Sequence, residues 1–379
     1  MLHTKLLLLQ PDVITIGLPQ FVVNSFHMAK LDNSKIDLSK IDSKLQNALM
    51  PFQKEGVYFG IDKNGRCLIA DDMGLGKTFQ ALAIADYYRD DWPILIVTTS
   101  STKNIWEETI HKFLPSVSIM DTQYMVSTKD YIGDTRILIT SHDMMTRALS
   151  KLVEKRFGII IIDESHVLKN FKAKCTKAAI ELCKIARRVI LLSGTPALSR
   201  PSELYSQLSL IDHKFFGSFY EYSKRYCDAK ATKFGWDATG KSNLQELELI
   251  LSKHFMIRRT KDEVLKSLPE KKRQVVTLDV DLKQLKEDEQ IHFNTLASKC
   301  NKLKMGPDKQ GALLLFFAET SKIKIPSVRN VIATVFGVCE DHQGGWSRCI
   351  LVRSNRPLSS FCAMVIGLGE ALMGRLAST

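Results

Sequence analysis

No C-x-x-C pair occurs among the eight cysteines, at 67, 175, 183, 227, 300, 339, 349 and 362. That argues against zinc modules and a disulfide framework, and suits a reducing compartment. Long apolar runs are missing too. Leu7 to Leu9 follow Lys5 in the manner of a signal peptide, but Gln10, Pro11 and Asp12 break the apolar core at once. Phe361 to Leu376 is apolar but short for a spanning helix, and it carries Glu370. With no basic amphipathic helix standing out, no membrane partner is expected. Negative charge is in deficit: 41 acidic residues face 53 basic ones, a formal +12. This fits a polyanionic partner such as nucleic acid and says nothing about fold. The 379 residues, 45% hydrophobic and 25% charged, describe a soluble globular chain with material for two or three domains.

What is there is organised around Asp71-Asp72-Met73-Gly74-Leu75-Gly76-Lys77-Thr78. An apolar run, Cys67 to Ala70, precedes it, and a helix former with apolar residues at helical spacing, Phe79 to Ala85, follows. Strand, glycine loop, Lys-Thr and helix is the context that a phosphate-binding loop requires. Gly74 and Gly76 allow the tight turn that aims backbone N–H groups at phosphate oxygens. Lys77 then reaches the β- and γ-phosphates of ATP, and the Thr78 hydroxyl ligates Mg²⁺. Asp71 stands where the general pattern has a glycine. The alternative for this stretch alone is a tight turn with a solvated lysine.

Downstream, four more apolar runs end in polar residues. Ile94 to Val97 leads to the hydroxyl cluster Thr98 to Ser101, and Arg136 to Thr140 leads to Ser141 and His142. Gly158 to Ile162 leads to Asp163-Glu164-Ser165-His166, and Arg188 to Leu192 leads to Ser193-Gly194-Thr195-Pro196. Continuous apolar runs are expected of parallel strands covered on both faces, and ligands bind beyond the carboxyl ends of such strands. Adjacent carboxylates at a buried strand end need a cation or proton partner. Mg²⁺ suits Asp163, and Glu164 is placed to orient or deprotonate a water for attack on the γ-phosphate. Alone, the hydroxyls would read equally as helix caps and the Asp-Glu pair as helix N-terminal charges. Helices are predicted at Asn104 to Phe113 and Ala173 to Ala186, with Lys40 to Tyr58 split in two by Pro51.

In order, DDMGLGKT, ILIVTTSS, DESH and LLSGTPA resemble the first motor lobe of superfamily-two helicase-like ATPases of the Swi/Snf type. Pro51 to Gly56 is similar to the family's adenine-sensing glutamine motif, and Phe255 to Lys261 also matches. Lys224 to Cys227, Phe234-Gly235-Trp236, Ser242 to Leu244 and Met256 to Arg259 resemble the annealing-helicase branch. That branch includes the HepA-related and zinc-finger Ran-binding-domain proteins. The resemblance implies an α/β fold: a RecA-like P-loop NTPase lobe, mostly parallel, with helices on both faces and a helical protrusion. It implies that Gln53 contacts adenine, that Asp72, Gly74, Leu75, Gly76, Lys77 and Thr78 hold the nucleotide, and that Asp163 and Glu164 form the Walker B pair. Thr99, Ser100, Thr140 and Ser141 lie where the family contacts the DNA backbone, and Ser193, Thr195, Arg258 and Arg259 fall with DNA binding or coupling. Asp71 is usual for the family, whereas Asp72 and Thr99 replace a more common glutamate and proline.

The expected organisation is a poorly ordered segment at 1–38 and an ATP-binding lobe at 39–275 with its protrusion at about 200–260. A helical linker at 276–332 and an atypical tail at 333–379 follow. The basic residues Lys261, Lys271, Lys272 and Arg273 read equally as a solvated face or as DNA contacts. The family's second lobe supplies arginines from an R-x-H-R-x-G-Q type motif, and no such motif occurs after Ile332. The chain is therefore expected to be truncated to the first lobe, or to work with another chain. Two functions follow: an ATP-driven translocase that rewinds or remodels double-stranded or forked DNA, or a module that binds ATP and DNA without productive hydrolysis. Replication or repair proteins are the expected partners and the nucleus the expected location.

Overall fold

Continuous β-branched runs bury side chains on both faces of a strand, and here they build one sheet. In a computed structural model, residues 18–27, 36–196, 200–233, 235–264, 287–302, 308, 310–320, 350–352 and 364–366 are described. Six strands come first: β1 Arg66–Ile69, β2 Ile94–Thr98, β3 Thr122–Tyr124, β4 Ile137–Ser141, β5 Ile159–Ile162 and β6 Arg188–Leu192. A hairpin of β7 Lys230–Thr232 and β8 Gly235–Asp237 follows, then β9 Met256–Ile257. The sheet runs β3-β4-β2-β5-β6-β1-β9, with every pairing parallel.

Alternate residues of each strand enter opposite cores. Ile94, Ile96, Ile159 and Ile161 face one core with Trp106 and Ile110. Leu95, Val97, Ile160 and Ile162 face the other with Leu152 and Leu182. Each such side chain contributes about 1.5–3 kcal/mol by leaving water. The predicted strands and the doubly covered parallel sheet are thus all present, in the RecA-like arrangement. Two edge strands, β3 and β9, are too short, at three and two residues, to show in the sequence pattern.

Local rules set the helix ends. Asp42 caps the helix Ser43–Ala48 by accepting from the Lys44 N–H, and Pro51 begins the helix Pro51–Asp62 at its first position. After β6 the helices Ser202–Ile211, Phe219–Tyr226 and Leu244–Ile250 form the helical extension expected after Pro201. Arg66 ties this extension to the sheet, its guanidinium donating to the carbonyls of Ala186, Leu210 and Ile211 at 2.7–2.9 Å. Those carbonyls end two helices and would otherwise be orphaned.

The segment expected to lack order holds a helix, Gln20–His27. Its Val22 and Ser25 are fully buried, Phe21 meets Phe215 and Phe216 edge-on, and Ser25 Oγ lies 2.8 Å from His254 Nε2. The partner surface that orders it arrives nearly two hundred residues later, so nothing local announces it.

The chain divides into two compact units, Met1–Pro269, which contains the sheet, and Glu270–Thr379. The second unit holds the helix Glu287–Lys302, helical residues 310–320 with a Phe293–Phe316 ring contact, and an antiparallel pair, Ile350–Val352 with Met364–Ile366. The basic run Lys271, Lys272, Arg273, together with Phe234 and most of the expected tail, lies outside the described residues. Among the described residues no helix is long and apolar enough to cross a membrane.

Candidate nucleotide and nucleic-acid site

The loop from Asp71 to Gly76 turns on two glycines with positive φ, Gly74 at 83° and Gly76 at 71°. Side-chain-bearing residues rarely adopt that conformation. Gly76 then caps the helix Lys77–Tyr87, whose first turn carries Lys77 and Thr78. The Lys77 ammonium donates to the main-chain carbonyls of Asp71 (2.9 Å) and Asp72 (3.3 Å). Burial draws its pKa below the ordinary lysine value, opposed by the carboxylates of Glu164, Asp71, Asp163 and Asp72. A Cβ on Gly194 would stand 2.7 Å from Met73 Cγ and 3.6 Å from Lys77 Nζ. The loops after β1, β5 and β6 therefore meet around Lys77.

Gln53 is buried beneath this loop. Its Nε2 donates to the Leu75 carbonyl (3.0 Å), and its Oε1 accepts the Met50 N–H (2.9 Å). Asp71 is fully buried, and its carboxylate accepts from the Arg259 guanidinium and from Gln80 Nε2 (2.8 Å). Arg259 also donates to Gln80 Oε1 (2.9 Å) and to the Phe52 carbonyl. Gly56 makes room for the pair, since a Cβ there would fall 1.8 Å from Gln80 Oε1 and 2.8 Å from Arg259 Nη2.

At the end of β5, Asp163 Oδ2 accepts from Thr98 Oγ1 (2.9 Å) and Trp106 Nε1 (3.1 Å), and Oδ1 from the Glu164 N–H (2.9 Å). His142 Nε2 lies 2.9 Å from the Asp163 carbonyl. Glu164 is held at φ 49°, strained for a residue with a side chain and of a kind that clusters at functional sites. Its carboxylate is 3.2 Å from His166 Nδ1, and the same nitrogen is 3.2 Å from Ser193 Oγ. Ser193 Oγ accepts the Thr195 N–H at 3.2 Å. His166 thus bridges the acidic strand end to the next one.

The hydroxyl residues divide. Ser100 and Ser141 line an open groove of about 540 Å³ with Lys103, Asn104, Tyr124 and Arg147. Ser141 also caps the following helix through the Met144 N–H. Thr99 is half-buried and bonded to Ser101 and Thr102. Thr140, grouped from the sequence with a DNA surface, is fully buried and donates to the Met125 carbonyl, because it points into the sheet's packed face. Thr195 and Arg258 are exposed, whereas Arg259 sits inside the ion pair with Asp71.

The donor set fits a magnesium nucleotide: loop N–H groups, the Lys77 ammonium, the Thr78 hydroxyl and the Asp163 carboxylate belong to adjoining loops. Sequence reasoning missed Thr98, Trp106 and His142 as supports of Asp163, and Gln80 as the partner of Asp71. Gln80 had one signal, a lone polar residue inside an otherwise apolar helix run.

Comparison with known proteins extends this. The SNF2-related domain matches residues 52–319. A Drosophila melanogaster SWI/SNF-related matrix-associated actin-dependent regulator of chromatin subfamily A-like protein 1 is 46% identical over 86% of this chain and 43% of its own length. The human DNA annealing helicase and endonuclease ZRANB3 is 36% identical over 78% of this chain and 28% of its own. The chain therefore spans less than half the length of these relatives. Among solved structures, the Sulfolobus solfataricus SWI2/SNF2 ATPase core in complex with dsDNA aligns with a TM-score of 0.52 at 25% identity, over 78% of this chain and 60% of that one.

Proposed function

The chain belongs to the SNF2-related domain family, and on that premise we propose that it is the ATP-binding motor lobe of a DNA-remodelling translocase of the annealing-helicase type. Its substrate is ATP with Mg²⁺, its track is double-stranded or forked DNA, and its place of work is the nucleus, with replication or repair proteins as partners. The observation that carries this reading is the meeting of three strand-end loops at Lys77, with Glu164 and Asp163 acting on its ammonium and Gly194 against it. Lys77 and the loop N–H groups of Gly74, Leu75 and Gly76 hold phosphates, and Thr78 and Asp163 hold the cation. A Mg²⁺ ion held there would supply charge neutralisation on the phosphates. Glu164 orients the attacking water. Gln53 and Asp72 brace the loop, with Gln53 contacting adenine. His166 carries the state of Glu164 to Ser193 and Thr195, while Ser100, Ser141, Thr99 and Arg258 face the DNA track. Names among the relatives, a regulator of chromatin and a DNA annealing helicase, support both the track and the location.

A second reading, a module that binds ATP and DNA without productive turnover, is favoured by the absence of any R-x-H-R-x-G-Q type motif in these 379 residues. The primary test is nucleotide affinity by calorimetry. Lys77→Ala should weaken ATP binding by at least about tenfold, the size of a lost charge-assisted hydrogen bond; equal affinities would overturn the assignment.

A further inference from the structure

We propose that Lys261, on the segment leaving the sheet, is a second phosphate-binding cation of the nucleotide site. The proposal rests on the assignment of the Asp71–Thr78 loop to ATP.

The placement follows from a ladder that outruns its strands. β9 pairs with β1 in the register Leu68 with Met256 and Ile69 with Ile257. Beyond them the Ala70 N–H donates to the Ile257 carbonyl (2.8 Å), and the Asp72 N–H to the Arg259 carbonyl (3.0 Å). The Lys261 N–H then donates to Asp72 Oδ2 (3.1 Å). The two segments thus stay in step past the sheet edge and onto the phosphate loop. Arg259 locks that register through its buried ion pair with Asp71. Lys261 is delivered to the loop by its own backbone, and its side chain is left to point elsewhere.

It points over the turn. A Cβ built on Gly74 meets a single atom within 4 Å, the Lys261 Nζ at 4.0 Å. The space above Gly74 is otherwise open, which is where backbone N–H groups of such a loop receive phosphate oxygens. Lys77 and Lys261 therefore bring two ammonium groups to the one loop between Asp71 and Gly76. A compact charge on a flexible stem suits phosphate, which needs no planar fork. The other uses of an exposed lysine, solvation or contact with DNA, give different results below.

Affinities for ATP with Mg²⁺ and for forked DNA would be measured for wild type, Lys77→Ala, Lys261→Ala, Lys261→Arg and the distant surface variant Lys184→Ala. Lys261→Ala should weaken ATP about tenfold, as one charge-assisted hydrogen bond does. Lys261→Arg should restore most of that, Lys184→Ala should change nothing, and melting temperatures should stay level because the Asp72 contact is made by the main chain. If Lys261→Ala binds ATP like wild type while Lys77→Ala does not, Lys261 is no part of the site. Loss of DNA affinity alone would make it a DNA contact and equally overturn the proposal. If wild type and Lys77→Ala bind ATP alike, or neither binds, the phosphate-loop reading itself fails and takes the proposal with it.

Discussion

Asp71 and Arg259, 188 positions apart in the chain, form an ion pair in which Nη2 stands 2.6 Å from Oδ2 and the carboxylate is wholly shielded from water. A buried carboxylate left without its cation is costly. Arg259→Met should therefore destabilise the fold by about 3–5 kcal/mol, read as a lower urea midpoint. Adding Asp71→Asn to that variant should recover part of the loss, because the stranded charge disappears. Strictly additive effects in the double variant would mean that the two side chains do not act as a pair.

The same pair shows where sequence reading stops. Both residues stand in motifs that a sequence reader marks, yet a contact across 188 positions needs the fold before it exists. The central strands were legible because parallel strands covered on both faces must be apolar at every position. Thr140 shows the reverse. Its hydroxyl at a strand end suggests a ligand, and only the sheet reveals that it faces inward to the Met125 carbonyl. The helix Gln20–His27 was illegible for a third reason: its stability comes from Phe215, Phe216 and His254, not from its own pattern.

Acid should weaken the fold through two histidines. Burial lowers the pKa of His142 below its ordinary 6.5, against the raising effect of the Asp163 carbonyl and charge. Burial also lowers that of His254, with Lys63 adding to it. The unfolded chain then binds protons that the native chain refuses, so stability rises with pH. The contribution is present above 6.5 and lost as the pH falls through the depressed native values. Melting temperature should accordingly drop between neutral pH and about pH 5. The double variant His142→Gln, His254→Gln should flatten that slope; an unchanged slope would assign it to carboxylates instead.

The groove holding Ser100 and Ser141 offers a separate test. Arg147 lines it with an exposed side chain, paired only one helical turn away with Asp143 at 3.0 Å. Contacts to DNA phosphates release counterions, so log affinity falls linearly with log salt, by about 0.9 per phosphate neutralised. Anisotropy titrations with forked DNA over a range of salt should give a slope lower by roughly one contact in Arg147→Ala, alike for unrelated sequences. A slope equal to wild type would mean that the DNA runs elsewhere.

The 379-residue chain should bind ATP yet turn it over slowly, even with DNA present. Lys77, Thr78, Asp163 and Glu164 belong to loops that meet in one place, and ground-state binding asks for no more than such positioning. The transition state asks for more, because charge spreads over the transferring phosphate and is best met by preorganised cations. In related phosphoryl-transfer enzymes an arginine in that role is worth about 10³–10⁵ in rate, or about 4–7 kcal/mol of barrier. Of the cations at this loop, Arg259 is committed to Asp71, and Lys77 and Lys261 are taken up in holding the ground-state phosphates in the reading above. A formal charge of +12 spread over a surface does not replace them, since solvated lysines are not fixed around a phosphate. Steady-state hydrolysis by the purified chain with forked DNA, beside Glu164→Gln as a blank, decides the matter. Turnover well below about 1 s⁻¹ is expected. Wild-type turnover above that value, lost in Glu164→Gln, would mean that these residues carry a complete catalytic set.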